Sequence, residues 1–338
     1  MTSVVQDRYG PAPEGLFRID RIAMPVPGPD EVLVRVHAAS IDRGTWHLMA
    51  GLPYPIRLAG FGLRRPKYAN PGRSLAGTVE AVGPGVTRFA PGDQVYGTCN
   101  GSFAEYVTVA VDTLAAKPAN LTHEQAAAVP ISAVTALQGL RDRGRVRPGQ
   151  QVLIVGASGG VGTFAVQIAK AFGAEVTGVC STSKVDLVRS LGADHVIDYT
   201  TGDVADGQRF DVVLDTGGHR SLRRLRRTLT PRGTLVIVGS ETGGRWLGGF
   251  DRTIRAMLLS PFVRQHLAPL ASKENATDLR VVTGLVESGQ VIPVIDRTHP
   301  LEETAAAIRH LLDGKARGKL VVSVSPASTH APATGSTP

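Results

Sequence analysis

Four glycines within seven residues, Gly156, Gly159, Gly160 and Gly162, follow the apolar run QVLIV (151–155) and lead straight into TFAVQIAK. Glycines so placed let a chain turn tightly and approach a pyrophosphate with no Cβ in the way. The free N–H groups and partial positive charge of the helix that follows then hold the phosphate oxygens. Ser158 and Val161 complete the turn. Ala157 stands where G-x-G-x-x-G would have its first glycine, so the strand before and the helix after are what mark a dinucleotide site. An NAD site carries an acidic residue about 20 residues further on, for the ribose 2′-hydroxyl. Here that place holds Cys180, Ser181, Thr182, Ser183 and Lys184. Hydroxyls and an ammonium suit a 2′-phosphate, with no carboxylate among them to repel it. NADPH is therefore the expected cofactor, with Tyr199, just past the next strand, closing the same pocket. The Ser-Thr-Ser run also suits a helix cap, and the two roles are compatible.

These residues need a frame. A chain of 338 residues implies two domains at roughly 100–200 residues each. Valine-rich runs at 31–40, 75–83, 93–97 and 103–109, bounded by Gly and Pro, predict a compact β-rich unit. Between the first two lies a long irregular stretch, 41–73, holding Trp46, His47, Tyr54 and the basic run LRRPK. Loops of that length are often functional. Thr122 and Gln125 have capping-box spacing, and Pro130 divides 122–140 into two helices. From Gln151 strands alternate with helices: strands at 151–156, 175–180, 195–198, 211–215 and 234–239, helices at about 160–172 and 183–191. Near-continuous apolar strands in that alternation predict a doubly wound α/β fold with a parallel sheet. A looser insertion at 240–270 precedes helices near 276–288 and 302–313 and strands at 291–296 and 319–324. Residues 326–338 hold no large apolar side chain and are expected to be a flexible tail.

Composition excludes several classes. Two cysteines, Cys99 and Cys180, make neither a disulfide framework nor a four-cysteine zinc site. No run of 18 apolar residues predicts a membrane span, and MTSVVQDRYG lacks the apolar core of a secretory signal, so a cytoplasmic protein is expected. The formal charge of +8 invites a nucleic-acid partner. Its densest cluster, Arg223, Arg224, Arg226 and Arg227, alternates with Leu222, Leu225 and Leu229 at helical spacing, which reads as the solvated face of a helix. No zinc-finger or basic-zipper pattern accompanies it. Steering of anionic small ligands is the milder reading of the charge.

Taken together, PGRSLAGTVEAVGPGVTRFAPGDQVYG (71–97), GSFAEYVTV (101–109), AAAVPISAVTALQGL (126–140), GASGGVG (156–162), LGADHVIDY (191–199) and GKLV (318–321) resemble the medium-chain dehydrogenase/reductase superfamily, in its zinc-free quinone oxidoreductase-like branch. The resemblance implies a GroES-like β-rich catalytic domain at 1–124, completed by 276–325, around a Rossmann domain at 125–275, with the nicotinamide in the cleft between them. It implies that Thr135, Val238, Gly239, Ser240 and Lys319 lie near the cofactor, with Gly217 after the DVVLD strand counted in the same set. Zinc members carry a cysteine at the place of Ile41-Asp42 and Gly-His-Glu at the place of Gly72-Arg73-Ser74, so no metal is expected. Asp42 stands where an Asn is usual. Its carboxylate adds negative charge near the nicotinamide, favouring the oxidised ring, or takes up a proton. His47 and Tyr54 fall where related reductases often have tyrosines and are, with Asp42, the candidate catalytic residues, as water is an alternative proton source. Trp46 and Phe262 are expected to wall the pocket. The activity implied is NADPH-dependent, zinc-independent hydride transfer to a quinone or an activated C=C or carbonyl acceptor, by a homodimer without nucleic-acid or membrane partners. A metal-free alcohol or carbonyl dehydrogenase and a non-catalytic NADPH sensor are the alternatives.

Overall fold

Val32, Val34 and Val36, on alternate positions of Glu31–Ile41, give that segment an apolar face, and it becomes the spine of the first sheet. The computed structural model describes residues 1–202, 207–239 and 244–324. β1 (Thr2–Val5) and β2 (Arg18–Arg21) form a two-stranded ribbon. β3 (Glu31–Ile41) pairs antiparallel with β4 (Ser74–Val82), which continues to β5 (Gln94–Thr98). β6 (Tyr106–Ala110) pairs with the start of β3, and β7 (Leu114–Ala116) with β5. The stretch expected to be irregular contains a helix, α1 (Arg43–Ala50). Asp42 caps it by accepting from Thr45 N–H while the Thr45 side chain reaches back, and Gly51 ends it in the left-handed region.

Thr122 and Gln125 form the expected capping box of α2 (His123–Ala127), and Pro130 is the first residue of α3 (Pro130–Gln138). The alternation that follows is β8 (Gln151–Val155), α4 (Gly160–Ala171), β9 (Glu175–Cys180), α5 (Val185–Ser190), β10 (His195–Asp198) and β11 (Phe210–Asp215). It continues through α6 (Leu222–Arg227), β12 (Leu229–Ile237), α7 (Phe250–Leu259) and β13 (His266–Pro269). The six strands are parallel in the order β10-β9-β8-β11-β12-β13. The order reverses between β8 and β11, which opens a crevice at their carboxyl ends. The chain then returns through α8 (Ala276–Glu287), β14 (Ile295–Pro300), α9 (Thr304–Leu312) and β15 (Lys319–Ser323). β15 pairs antiparallel with β3, so the last strand closes the first sheet. The strand expected at 291–296 starts only at Ile295, because Pro293 has no N–H to give a ladder.

One continuous core joins the two sheets. Ala38, Ala76, Tyr96 and Val321 of the first sheet pack with α2, α3 and α4, which also cover Val152, Ile154, Val212 and Leu214 of the second. The opposite face of the first sheet takes Met49, Ala307 and Ile308. The second sheet's other face takes Leu225 and Ala256. A parallel sheet covered on both sides needs no polar alternation in its strands, which explains their apolar sequences. Leu225 anchors α6 while Arg223, Arg224 and Arg227 point to solvent. Among the described residues no helix is long and apolar enough to cross a membrane. The expected tail, 326–338, lies outside the described residues.

α2 meets the first sheet through two imidazoles in contact, His37 of β3 and His123, with ring centroids 4.3 Å apart and planes tilted by 46°. His37 Nε2 is 3.0 Å from Thr78 Oγ1, and His123 Nε2 is buried without a partner. Burial, then the neighbouring His37, holds His123 down to about 4. The folded protein therefore binds fewer protons here than the unfolded chain between that value and the usual 6.5. This contribution to stability is complete above the unfolded value and is lost as pH falls through the folded one. Urea unfolding at pH 7, 5.5 and 4.5 is expected to show a smaller acid loss for His123→Gln than for the wild type.

Candidate functional site

The site is built where β8 stops. Gly156 has φ +83°, and a Cβ there would lie 2.6 Å from Thr216 Oγ1. Gly159 precedes α4, and no side chain caps that twelve-residue helix. Gly162 lies so close beneath the turn that a Cβ would collide with Gly156 O. Gly160 looks the other way: a Cβ on it would meet Lys319 Cδ at 3.1 Å and Ser132 Oγ at 3.4 Å. Ser158 is buried and its carbonyl accepts Gly318 N–H at 2.9 Å, and Val161 is half-buried against the core. A glycine-rich turn leading into a helix without a side-chain cap fits a pyrophosphate, whose oxygens would take the free N–H groups.

Across the crevice Gly217 follows β11 beside Gly156, and Val238 N–H donates to Asp215 O at 3.0 Å. Gly239 is exposed, and Ser240 lies outside the described residues. Asp215 is fully buried at the end of β11 and pairs with Arg252 of α7, itself 7% exposed. Asp215 Oδ1 also accepts Gly218 N–H at 3.2 Å. Sequence reading missed this pair, since 37 residues separate its members and the insertion shows no pattern that would join them.

At the end of β9, Ser181, Thr182, Ser183 and Lys184 begin a short 3₁₀ turn, and the exposed Tyr199 follows β10. Lys184 Nζ donates to Gly314 O at 3.1 Å and Ala316 O at 2.8 Å. An ammonium has three donors, so one remains for a ligand. Burial lowers the Lys184 ammonium, and the cation of Arg317 lowers it further. Arg317 thus brings a second positive charge to this pocket from 133 residues away, where no local motif could announce it. A carboxylate is also near: Asp198, paired in register with Cys180, accepts from Thr200 N–H at 2.9 Å and from the Thr200 hydroxyl at 2.7 Å. A bond from Thr182, and then those from Thr200, hold its carboxyl below the usual range.

On the first-sheet side, Thr135 is buried on α3 near Ser132, and Lys319 is 2% exposed with its stem on Gly160. Asp42 acts on Lys319 electrostatically. His47 and Tyr54 meet other partners. His47 Nδ1–H donates to Leu52 O at 2.9 Å. Tyr54 N–H donates to Arg245 O at 2.9 Å, and its ring meets Trp246 edge-on at 5.0 Å and the Arg57 guanidinium at 4.9 Å. The loop after α1 is thereby held to the insertion before α7. The two expected wall residues sit elsewhere: Trp46 Nε1–H donates to Pro11 O at 3.0 Å, and Phe262 is 86% exposed. At the zinc positions Arg73 pairs with Glu274 at 3.2 Å and Ser74 is buried. Among the described residues no three of His, Cys, Asp and Glu converge on a common point. Burial pushes the Cys99 thiol up to about 12, which disfavours its thiolate.

Comparison with known proteins agrees with this geometry. A family model described as an alcohol dehydrogenase GroES-like domain matches residues 28–119, and one described as a zinc-binding dehydrogenase matches residues 191–322. The chain is 32% identical to the mouse (Mus musculus) NAD(P)H oxidoreductase RTN4IP1, mitochondrial, covering 96% of this chain and 89% of that one. It is 32% identical to 2-methylene-furan-3-one reductase of Solanum lycopersicum, covering 89% and 74% respectively. Among solved structures it is similar to the quinone oxidoreductase from Coxiella burnetii, with a TM-score of 0.81 at 27% identity over 96% of this chain and 99% of that one.

Removing one member of the Asp215–Arg252 pair leaves a buried charge unpaired. Arg252→Met is expected to lose about 3–5 kcal/mol in urea unfolding, and Asp215→Asn added to it is expected to recover part of that loss.

Proposed function

The chain belongs to the medium-chain dehydrogenase/reductase superfamily, in its quinone oxidoreductase-like branch, and is a nicotinamide-dependent oxidoreductase; from that premise we propose that it is an NADPH-dependent, zinc-independent reductase of quinones or conjugated enones. The observation that carries the NADPH preference is Lys184, an ammonium with one donor to spare at the end of β9, where an NAD site has an acid. Arg317 adds to its field, and the hydroxyls of Ser181, Thr182 and Ser183 supply further donors. Asp198 opposes them, but it is engaged by Thr200 and Thr182. The proposed domains are 1–124 completed by 276–325, and 125–275, with the cleft between them.

When bound, NADPH supplies a hydride to an electron-poor carbon or quinone oxygen. The residues of this chain do the rest. The turn from Gly156 to Gly162 with α4 holds the pyrophosphate, and Gly217, Val238 and Gly239 border the crevice at the carboxyl ends of β11 and β12. Thr135 and Lys319 bound it from the other side. An acceptor that is already electron-poor needs no Lewis acid, whereas a simple alcohol does. The tomato relative's name, a reductase of a ketone conjugated to a methylene group, supports this substrate class. Of the two candidate proton donors, His47 in its neutral form spends its one N–H on Leu52 O. Tyr54 Oη is therefore the proposed donor to the developing enolate.

A homodimer is the proposed assembly. β13 is the edge of the six-stranded sheet, and beside it α7 exposes Phe250, Ile254, Met257 and Leu258 at helical spacing. Sedimentation at micromolar concentration is expected to give twice the mass of one chain, and Ile254→Glu with Met257→Glu to give the monomer. The proposed setting is the cytoplasm, in keeping with Cys99 and Cys180 as free thiols.

The decisive assay follows nicotinamide absorbance against a panel of quinones and enones, with NADPH and NADH and with a chelator. Chelator-insensitive NADPH oxidation is expected. Lys184→Ala should raise KM for NADPH about tenfold or more with little change for NADH, and Tyr54→Phe should lower kcat on enones. Binding of NADPH without turnover on any acceptor would overturn the enzymatic part of this reading, and a preference for NADH would overturn the phosphate pocket.

A further inference from the structure

The face of the first sheet that looks into the cleft carries charge where the rest of that face carries alanine and valine. Register places Ser40 opposite Ser74 on β4 and opposite Val321 on β15. Side chains two apart share a face, so Asp42 and Lys319 project from the same side as Ser40 and Ser74. The four end in buried atoms without hydrogen-bond partners: Ser40 Oγ, Ser74 Oγ, Asp42 Oδ2 and Lys319 Nζ. Asp42 Oδ1 is occupied, accepting Thr45 N–H at 2.9 Å. Burial disfavours the Lys319 ammonium, and the nearby Asp42 carboxylate opposes part of that effect. Two opposite charges therefore act on each other without forming a contact pair.

That space adjoins the glycine turn. Lys319 Cδ is 3.1 Å from the place a Cβ on Gly160 would take, and Gly318 is joined to the turn through Ser158 O. A cofactor held on the turn lies within reach of both fields, which at the lower effective dielectric of a protein interior act over several ångströms. Oxidised and reduced nicotinamide nucleotides share every phosphate and ribose. They differ by one positive charge on the ring. The ratio of their affinities therefore reports the net charge that the protein holds nearby, and the effect on the shared phosphates cancels.

We infer that Asp42 and Lys319 are a charge-balanced couple that sets the relative affinity of this chain for the oxidised and reduced forms of its cofactor. The inference rests on the functional reading above. Their sum is near zero, so neither redox form is favoured. Loss of Asp42 leaves an excess positive charge that repels the oxidised ring, and loss of Lys319 leaves an excess negative charge that attracts it.

The test is equilibrium titration of the full chain with NADP⁺ and NADPH by fluorescence, at pH 7 and fixed salt. Asp42→Asn is expected to weaken NADP⁺ relative to NADPH by about tenfold. Lys319→Met is expected to shift the ratio the opposite way, and the double variant to return it to near the wild-type value. Single variants that leave the ratio unchanged, or move it in the same direction, would overturn the couple. Should Lys319→Met fail to fold, Asp42→Asn and Lys319→Gln decide the sign. Wild-type protein that binds neither form would instead refute the functional reading, and the couple with it, which a changed or unchanged ratio cannot do.

Discussion

The joint between Gly318 and the turn after β8 holds this molecule together as a device rather than as two sheets. Gly318 N–H donates to Ser158 O, Gly159 and Gly318 form a parallel bridge, and Lys319 lays its stem over Gly160. The same few atoms thus end the dinucleotide turn and begin the strand that closes the first sheet against β3. Gly318 has φ +91° and its Cα faces Val294 O closely enough to exclude a side chain. Gly160 cannot carry one without displacing Lys319. Glycine at both places lets two backbones approach, and the cleft inherits its width from that approach.

What was readable in the sequence is what depends on neighbours along the chain. The apolar strands from Gln151 onward, the Thr122–Gln125 cap and the glycine turn are local patterns, and they form where their chemistry puts them. α1 was hidden because its cap is an Asp-x-x-Thr box followed by Trp, His, Leu and Met, a composition that also suits a functional loop. β14 was displaced by a single proline. Residues brought together by topology alone left no local trace: Arg317 with Lys184, Asp215 with Arg252, Trp246 with Tyr54. The placement of Trp46 and Phe262 in the pocket failed for the same reason, since an aromatic in a loop is equally suited to any apolar neighbour.

The anion pocket shows how competing charges settle a preference. Lys184 spends two of its three donors on backbone carbonyls of the 314–316 turn, which fixes the ammonium instead of leaving it to wander in solvent. A pinned cation loses less entropy on meeting a phosphate than a free lysine does. Asp198 lies on the neighbouring strand, yet its carboxylate accepts hydrogen bonds from Thr182 and Thr200, whose hydroxyls are also joined at 2.8 Å. Asp198 ends β10, whereas an NAD site has its acid at the end of β9. Its hydrogen bonds make it a brace.

Burial of unpartnered polar atoms normally costs about 1–3 kcal/mol each, and native folds keep few of them. Ser40, Ser74, Asp42 and Lys319 place four on one face of one sheet. Alanine at Ser40 and Ser74 and methionine at Lys319 would continue the apolar face that Ala38, Ala76 and Val321 already form, whereas Asp42 also serves as the cap of α1. A fold optimised only for stability has no use for Ser40, Ser74 and Lys319 as polar residues there. Local rules broken together at one place, beside a turn shaped for a dinucleotide, mark the part of the chain where function outweighs stability.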